Sequence, residues 1–304
     1  MGTQEIEIIR YDCGWGCLDY GCEDGPDAVD QEALTKNLED LGHKVVWHPH
    51  LNIKDMGSRE DINEKETTLP LVVEASIRLA QATEHAIQQG RIPVVIGGDH
   101  TAAIGTWSGL IAAHDAFQEF GLIWLDAHMD AHTPDTAHEG KWGGWWHGMP
   151  VACLTGEGVD ELTQISSDKA KIDMSHFSLL GARSFEPGEE AFMQRHNASI
   201  YKMPDVDEHS FQTLFEKSLT RATTETKGFG LSIDLDGFDP EDAPGVGTNE
   251  KGGLRAADAL KAMHGLAANP LFKGIEIVEY NPHKDPDKRT EKLINDLLVS
   301  VFAT

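Results

Sequence analysis

Three short runs of carboxylates and imidazoles each follow a stretch of apolar residues. Pro93–Ile96 leads into Gly97-Gly98-Asp99-His100, Gly121–Leu125 into Asp126-Ala127-His128-Met129-Asp130, and Phe229–Ile233 into Asp234-Leu235-Asp236. In extended chain, residues two apart point to one face, about 6.6 Å from each other. Asp126, His128 and Asp130 are therefore expected to share a face, as are Asp234 and Asp236. On neighbouring strands, about 4.8 Å apart, these five would surround one small volume, with His100 joining from a third strand end. The six side chains carry four carboxylates. That is too many for one tetrahedral ion, and they could not stay ionised together without cations among them. Two divalent ions about 3.5–4 Å apart, bridged by shared carboxylates, meet both difficulties and turn water into a nucleophile near neutral pH. Hard oxygen and imidazole donors without thiolate suit Mn2+, with Ni2+ or Co2+ as alternatives.

Such a site needs strands whose carboxyl ends lie on one sheet edge. Candidate strands are Ile6–Tyr11, Val45–His48, Pro93–Ile96, Gly121–Leu125, Phe177–Leu180, Phe229–Ile233 and Gly274–Val278. Helical patterns separate them, over Leu69–Gln89, Ala102–Ala113 and Ser210–Arg221, and Arg289–Val301 closes the chain. Continuous apolar strands alternating with helices indicate an α/β fold, a three-layer αβα sandwich around a mostly parallel sheet. Two irregular stretches, Ala131–Gly148 and Gly237–Gly253, read as functional loops rather than boundaries, so residues 1–304 are taken as a single domain.

Composition narrows the partners. With 25 basic against 51 acidic residues the formal charge is -26, which argues against nucleic acid and against anionic membrane surfaces. No window reaches the ~20 apolar residues of a membrane span and no leader precedes the first strand, so a cytoplasmic location is expected. Cys13, Cys17 and Cys22 cluster near the start, far from Cys153. They lack the tight pairs of a thiolate zinc site and are expected to be reduced thiols.

The sequence resembles the ureohydrolases, the arginase and agmatinase family. The resemblance rests on the three strand-end runs and on Gly237-Phe238-Asp239-Pro240, which continues the third. It extends to Ala243-Pro244-Gly245-Val246-Gly247-Thr248, Gly252-Gly253-Leu254, Glu279-Tyr280-Asn281-Pro282 and, near the start, Gly21-Cys22-Glu23-Asp24-Gly25-Pro26. It implies that His100 and Asp130 hold one manganese, that His128 and Asp236 hold the other, and that Asp126 and Asp234 bridge them. It further implies that Glu279 pairs with a small cationic guanidino substrate and that Asp130 orients the attacking water. His147, in the His147-Gly148-Met149-Pro150 segment similar to that of arginases, would move protons. The implied reaction is hydrolysis at the guanidinium carbon, giving urea and an amine, in a homo-oligomer (trimer or hexamer).

The substrate end departs from the arginase pattern. His132 stands where Asn is usual, Gly143 where a Ser helps hold the α-carboxylate, Glu186 where an Asp faces the α-amino group, and Ser184 where another Asp is common. Trp142, Trp145 and Trp146 enrich the same loop, as a pocket wall or as packing. L-arginine is the leading substrate through the His-Gly-Met-Pro segment. Agmatine, guanidinobutyrate, guanidinopropionate, formiminoglutamate and free guanidine are the alternatives. Two other readings are a phosphoesterase, against which the absence of basic residues at the strand ends speaks, and a family member that binds a guanidino ligand without turning it over.

Overall fold

The computed structural model describes residues 2–58, 65–138 and 145–303, with the side chains of Lys65 and Glu66 left aside. Eight strands run Glu5–Tyr11 (β1), Lys44–Trp47 (β2), Ile92–Gly97 (β3), Phe120–Leu125 (β4), Phe177–Ala182 (β5), Ser199–Lys202 (β6), Gly228–Asp234 (β7) and Phe272–Val278 (β8). They form one sheet in the order β2-β1-β3-β8-β7-β4-β5-β6. Every pairing in it is parallel, so the mostly parallel sheet expected from the sequence is parallel throughout the described residues.

Both faces of the sheet are covered, which is why its strands read as unbroken apolar runs. Ile123 and Leu125 of β4 stand beside Leu231 and Ile233 of β7. All four belong to one apolar cluster with Leu214, Phe215, Leu293 and Leu297 from the helices Phe211–Thr223 and Arg289–Val301. Leu122 and Trp124, alternating with the β4 pair, face the other way onto Trp107, Leu110 and Ile111. Those three come from the helix Ala102–Ala113, which lies against the long helix Lys65–Gln88. That long helix begins four residues before the apolar pattern that announces it, because Lys65–Thr68 carry no periodic apolar signal.

Strand β6 was not expected from sequence. Its four residues sit half-buried at the sheet edge, too short and too polar to stand out. No helix among the described residues is long and apolar enough to cross a membrane.

The chain crosses from β3 to β4 over two intervening positions, which β7 and β8 fill later. The carboxyl ends of β3, β8, β7 and β4 therefore stand side by side. Gly98 stitches this edge together: its N–H donates to the Tyr11 carbonyl at 2.7 Å, and its own carbonyl accepts the Glu279 N–H at 2.7 Å. A Cβ there would stand 2.0 Å from the Cys13 carbonyl oxygen. Gly98→Ala is expected to cost about 1–3 kcal/mol of stability through this overlap, read as a lower urea midpoint. An unchanged midpoint would show that the backbone has room to move.

Candidate active site

The acidic runs converge, but not by strand alternation. Strand β4 ends at Leu125, and the residues after it leave the pleat. The Asp126 carboxylate turns back to accept the His128 N–H at 2.6 Å, and Asp130 takes a left-handed φ of 49°. At the end of β7, Asp234 accepts the Asp236 N–H at 2.9 Å and caps the one-turn helix Leu235–Gly237. Carboxylates that grip the next backbone amides fold each run into a tight turn. The expected shared faces are thus replaced by turns that aim the same side chains inward.

Two groups of donors result. In one, His100 Nδ1 lies 2.9 Å from Asp130 Oδ2, 3.1 Å from Asp234 Oδ2 and 3.4 Å from Asp126 Oδ2. In the other, His128 Nδ1 lies 3.1 Å from Asp236 Oδ2 and 3.4 Å from Asp126 Oδ1. Asp126 faces both groups, one oxygen to each. Within each group the donor atoms lie inside 4.8 Å of one another. Trp124 steadies the arrangement, stacking on the His100 ring with centroids 4.3 Å apart and donating its indole N–H to Asp126 Oδ2 at 2.8 Å.

Electrostatics show what this crowding lacks. Burial, then the charges of Asp236 and Asp126, push the Asp234 carboxyl well above its ordinary range. Burial and the Asp126 charge push Asp130 up to about 6, and burial raises Asp236. Burial would raise Asp126 too, but the imidazoles of His100 and His128 outweigh it and hold that carboxyl low. Burial disfavours charge on those imidazoles, yet the carboxylates around them lift both well above the usual histidine range. Four carboxylates and two imidazoles thus attract positive charge from whatever source is available. Hard donors at this spacing fit a pair of divalent cations, which would take the place of the imidazolium protons.

Glu279 follows β8 with a left-handed φ of 66°, a conformation few non-glycine residues adopt and one associated with functional positions. Its Oε1 accepts the backbone N–H of His100 at 3.0 Å and lies 3.2 Å from His147 Nδ1. Burial works against charge on His147, but the hydrogen bond and charge of Glu279 raise its pKa. A cavity of about 360 Å³ opens over these groups, with His128, Asp130, Asp234, Asp236, His147 and Glu279 in its lining.

The family model described as "Arginase: Arginase family" matches residues 6–303. The arginase of Bacillus caldovelox is 36% identical, over 98% of this chain and 97% of its own length. Its solved structure superposes with a TM-score of 0.91, covering 99% of each chain. The arginase of Brevibacillus brevis is 33% identical over 99% of this chain and 98% of its own. The arginase of Entamoeba histolytica, solved in complex with L-ornithine, is 25% identical with a TM-score of 0.82, covering 100% of this chain and 99% of that one. The chain belongs to the arginase family.

The substrate-end positions of this arginase-family chain lie at the rim of the cavity. His132 is buried, with Nε2 3.1 Å from Glu186 Oε2 and 3.5 Å from Glu189 Oε2. Glu186 and Glu189 cap the helix Pro187–Arg195, each carboxylate meeting backbone of the other's turn. Burial, then the neighbouring Glu186, raises the Glu189 carboxyl to about 9. Ser184, Thr248, Asn249 and Glu250 complete the rim. Glu189 and Glu250 were not singled out from sequence, although Glu189 stands three residues after Glu186, the spacing of a capping box.

The tryptophans of the loop divide. Trp145 lines the cavity, whereas Trp146 is packed inside and donates its indole N–H to Thr68 Oγ1 at 3.1 Å. Gly143 and Trp142 lie outside the described residues. The four cysteines are free and buried, as expected of reduced thiols.

Proposed function

We propose that this chain is an arginase, hydrolysing L-arginine to L-ornithine and urea at two divalent ions. The observation that carries this reading is the cavity lined by members of both donor groups, Asp130 and Asp234 of one and His128 and Asp236 of the other, together with the Glu279 carboxylate. We assign His100 and Asp130 to one ion, His128 and Asp236 to the other, and Asp126 and Asp234 to both. The donor chemistry favours manganese. When bound, the ions supply a water of lowered pKa as the nucleophile and offset the buried carboxylates.

The chain's own residues do the rest. Glu279 offers a carboxylate fork to the planar guanidinium and is held in place by the His100 N–H. Asp130 orients the attacking water through its carboxylate. His147 Nδ1, poised beside Glu279, delivers a proton to the departing amine and recovers it from solvent. Glu186 faces the substrate's α-ammonium, with His132 beside it at the amino-acid end. Resemblance to the family further supports a cytoplasmic homo-oligomer, a trimer or hexamer, built from one domain over residues 1–304.

A second reading keeps the chemistry and changes the substrate, because Glu186 already engages His132 at the amino-acid end. One measurement separates the two: urea release from L-arginine, agmatine, guanidinobutyrate, guanidinopropionate, formiminoglutamate and guanidine, after loading with manganese, nickel or cobalt. L-arginine is expected to give the highest kcat/KM. A higher value for agmatine or guanidinobutyrate would move the assignment to that substrate, and silence across the panel would end the hydrolase reading.

A further inference from the structure

Glu276 lies within β8 among apolar residues, wholly buried. No Lys, Arg or His among the described residues pairs with it as an ion. A buried carboxylate without such a partner is costly and calls for a reason. Its contacts supply one. The Ser232 hydroxyl donates to Glu276 Oε1 at 2.7 Å, and the Trp107 indole N–H donates to the same oxygen at 2.7 Å. Ser232 Oγ in turn lies 3.0 Å from His100 Nε2.

Direction follows from proton counting. Ser232 gives its single hydroxyl proton to Glu276, so towards the imidazole 3.0 Å away its oxygen acts as acceptor. When an ion displaces the proton on Nδ1, His100 keeps the other on Nε2, and the Nδ1 lone pair is then the one directed at the ion among Asp126, Asp130 and Asp234. We propose that Glu276 is a positioning residue that, through Ser232, locks His100 in the tautomer and ring orientation needed to bind an ion at Nδ1. Trp107 fixes the carboxylate from the other side, on the helix Ala102–Ala113 that follows His100 in the chain. Second partners of this kind orient imidazole ligands and raise their basicity, and losing one typically weakens an ion site by about 10- to 100-fold. Glu276 and Ser232 are register partners on the neighbouring strands β8 and β7, and His100 follows the end of β3, so the relay is anchored in the sheet. Its stiffness is that of the core.

This inference rests on the two-ion reading, and the test keeps the two apart. Manganese binding would be followed by chelator competition and by the electron paramagnetic resonance spectrum of the coupled ions, in the native protein, Glu276→Gln, Ser232→Ala and the double variant. The unfolding temperature of each ion-free protein would be recorded alongside. Expected is a loss of affinity for one ion of about 10- to 100-fold in each single variant, with little further loss in the double, because both break one chain of hydrogen bonds. Glu276→Gln preserves shape and an acceptor oxygen, so its loss should not exceed that of Ser232→Ala. Native protein that binds no coupled pair would overturn the two-ion reading. Native binding with unaltered affinity in both single variants, or with only a lowered unfolding temperature, would overturn the role of Glu276 alone.

Discussion

Asp126→Ala is expected to abolish coupled ion binding and lower kcat/KM by about three orders of magnitude or more, the equivalent of about 4 kcal/mol of transition-state stabilisation. Asp126 presents a separate oxygen to each histidine, Oδ2 to His100 and Oδ1 to His128. Its removal therefore weakens both ion sites together, whereas Asp236→Ala strikes chiefly the His128 side. The same carboxylate also holds the turn after β4 through the His128 N–H and anchors the Trp124 indole. Asp126→Asn separates these effects: it keeps an acceptor oxygen at the turn while removing the charge. Ion stoichiometry, measured after exhaustive dialysis, should fall below two per chain in both variants. Two retained ions and near-native turnover in Asp126→Asn would overturn the bridging assignment.

The second large effect is expected at Glu279. Glu279→Gln keeps the length of the side chain and removes the charge that faces the guanidinium. Truncating or neutralising one member of a buried ion pair costs about 2–5 kcal/mol, so kcat/KM should fall roughly 30- to 5,000-fold. Ion content should remain near native, because Glu279 belongs to neither group of ion donors. A second readout comes from His147. Glu279 raises the pKa of that imidazole against the opposing effect of burial. With the carboxylate gone, the His147 titration should move to lower pH, visible by NMR of its ring protons in the ion-free protein. An unmoved titration would show that the 3.2 Å contact between them does not govern the proton carried by His147.

Much of this architecture could be read from residue types alone. The strands β3, β4, β7 and β8 announced themselves because burial on both faces leaves no polar alternation to blur them. The six proposed ion donors were legible for a related reason: Asp and His immediately after an apolar strand have few structural uses. Their geometry was not legible. Alternation along an extended strand brought Asp126, His128 and Asp130 together on paper, whereas the chain achieves it by turns in which carboxylates cap their own following amides. Those turns depend on hydrogen bonds that residue spacing does not reveal. The edge strand Ser199–Lys202 escaped because a half-buried edge needs no strong apolar signal. Glu276 was hidden for the opposite reason: a lone carboxylate in an apolar run reads as the strand's solvent side until the helix carrying Trp107 covers it.

The same crowding of carboxylates on imidazoles ties the centre to the acidity of its surroundings. His100 and His128 hold protons more tightly than ordinary histidines, and Asp130 and Asp234 are raised in the same direction. Ions and protons then compete for one set of donor atoms, so each ion taken up releases protons and each fall in pH loosens the ions. Loading is favoured as pH rises through these pKa values and opposed as it falls.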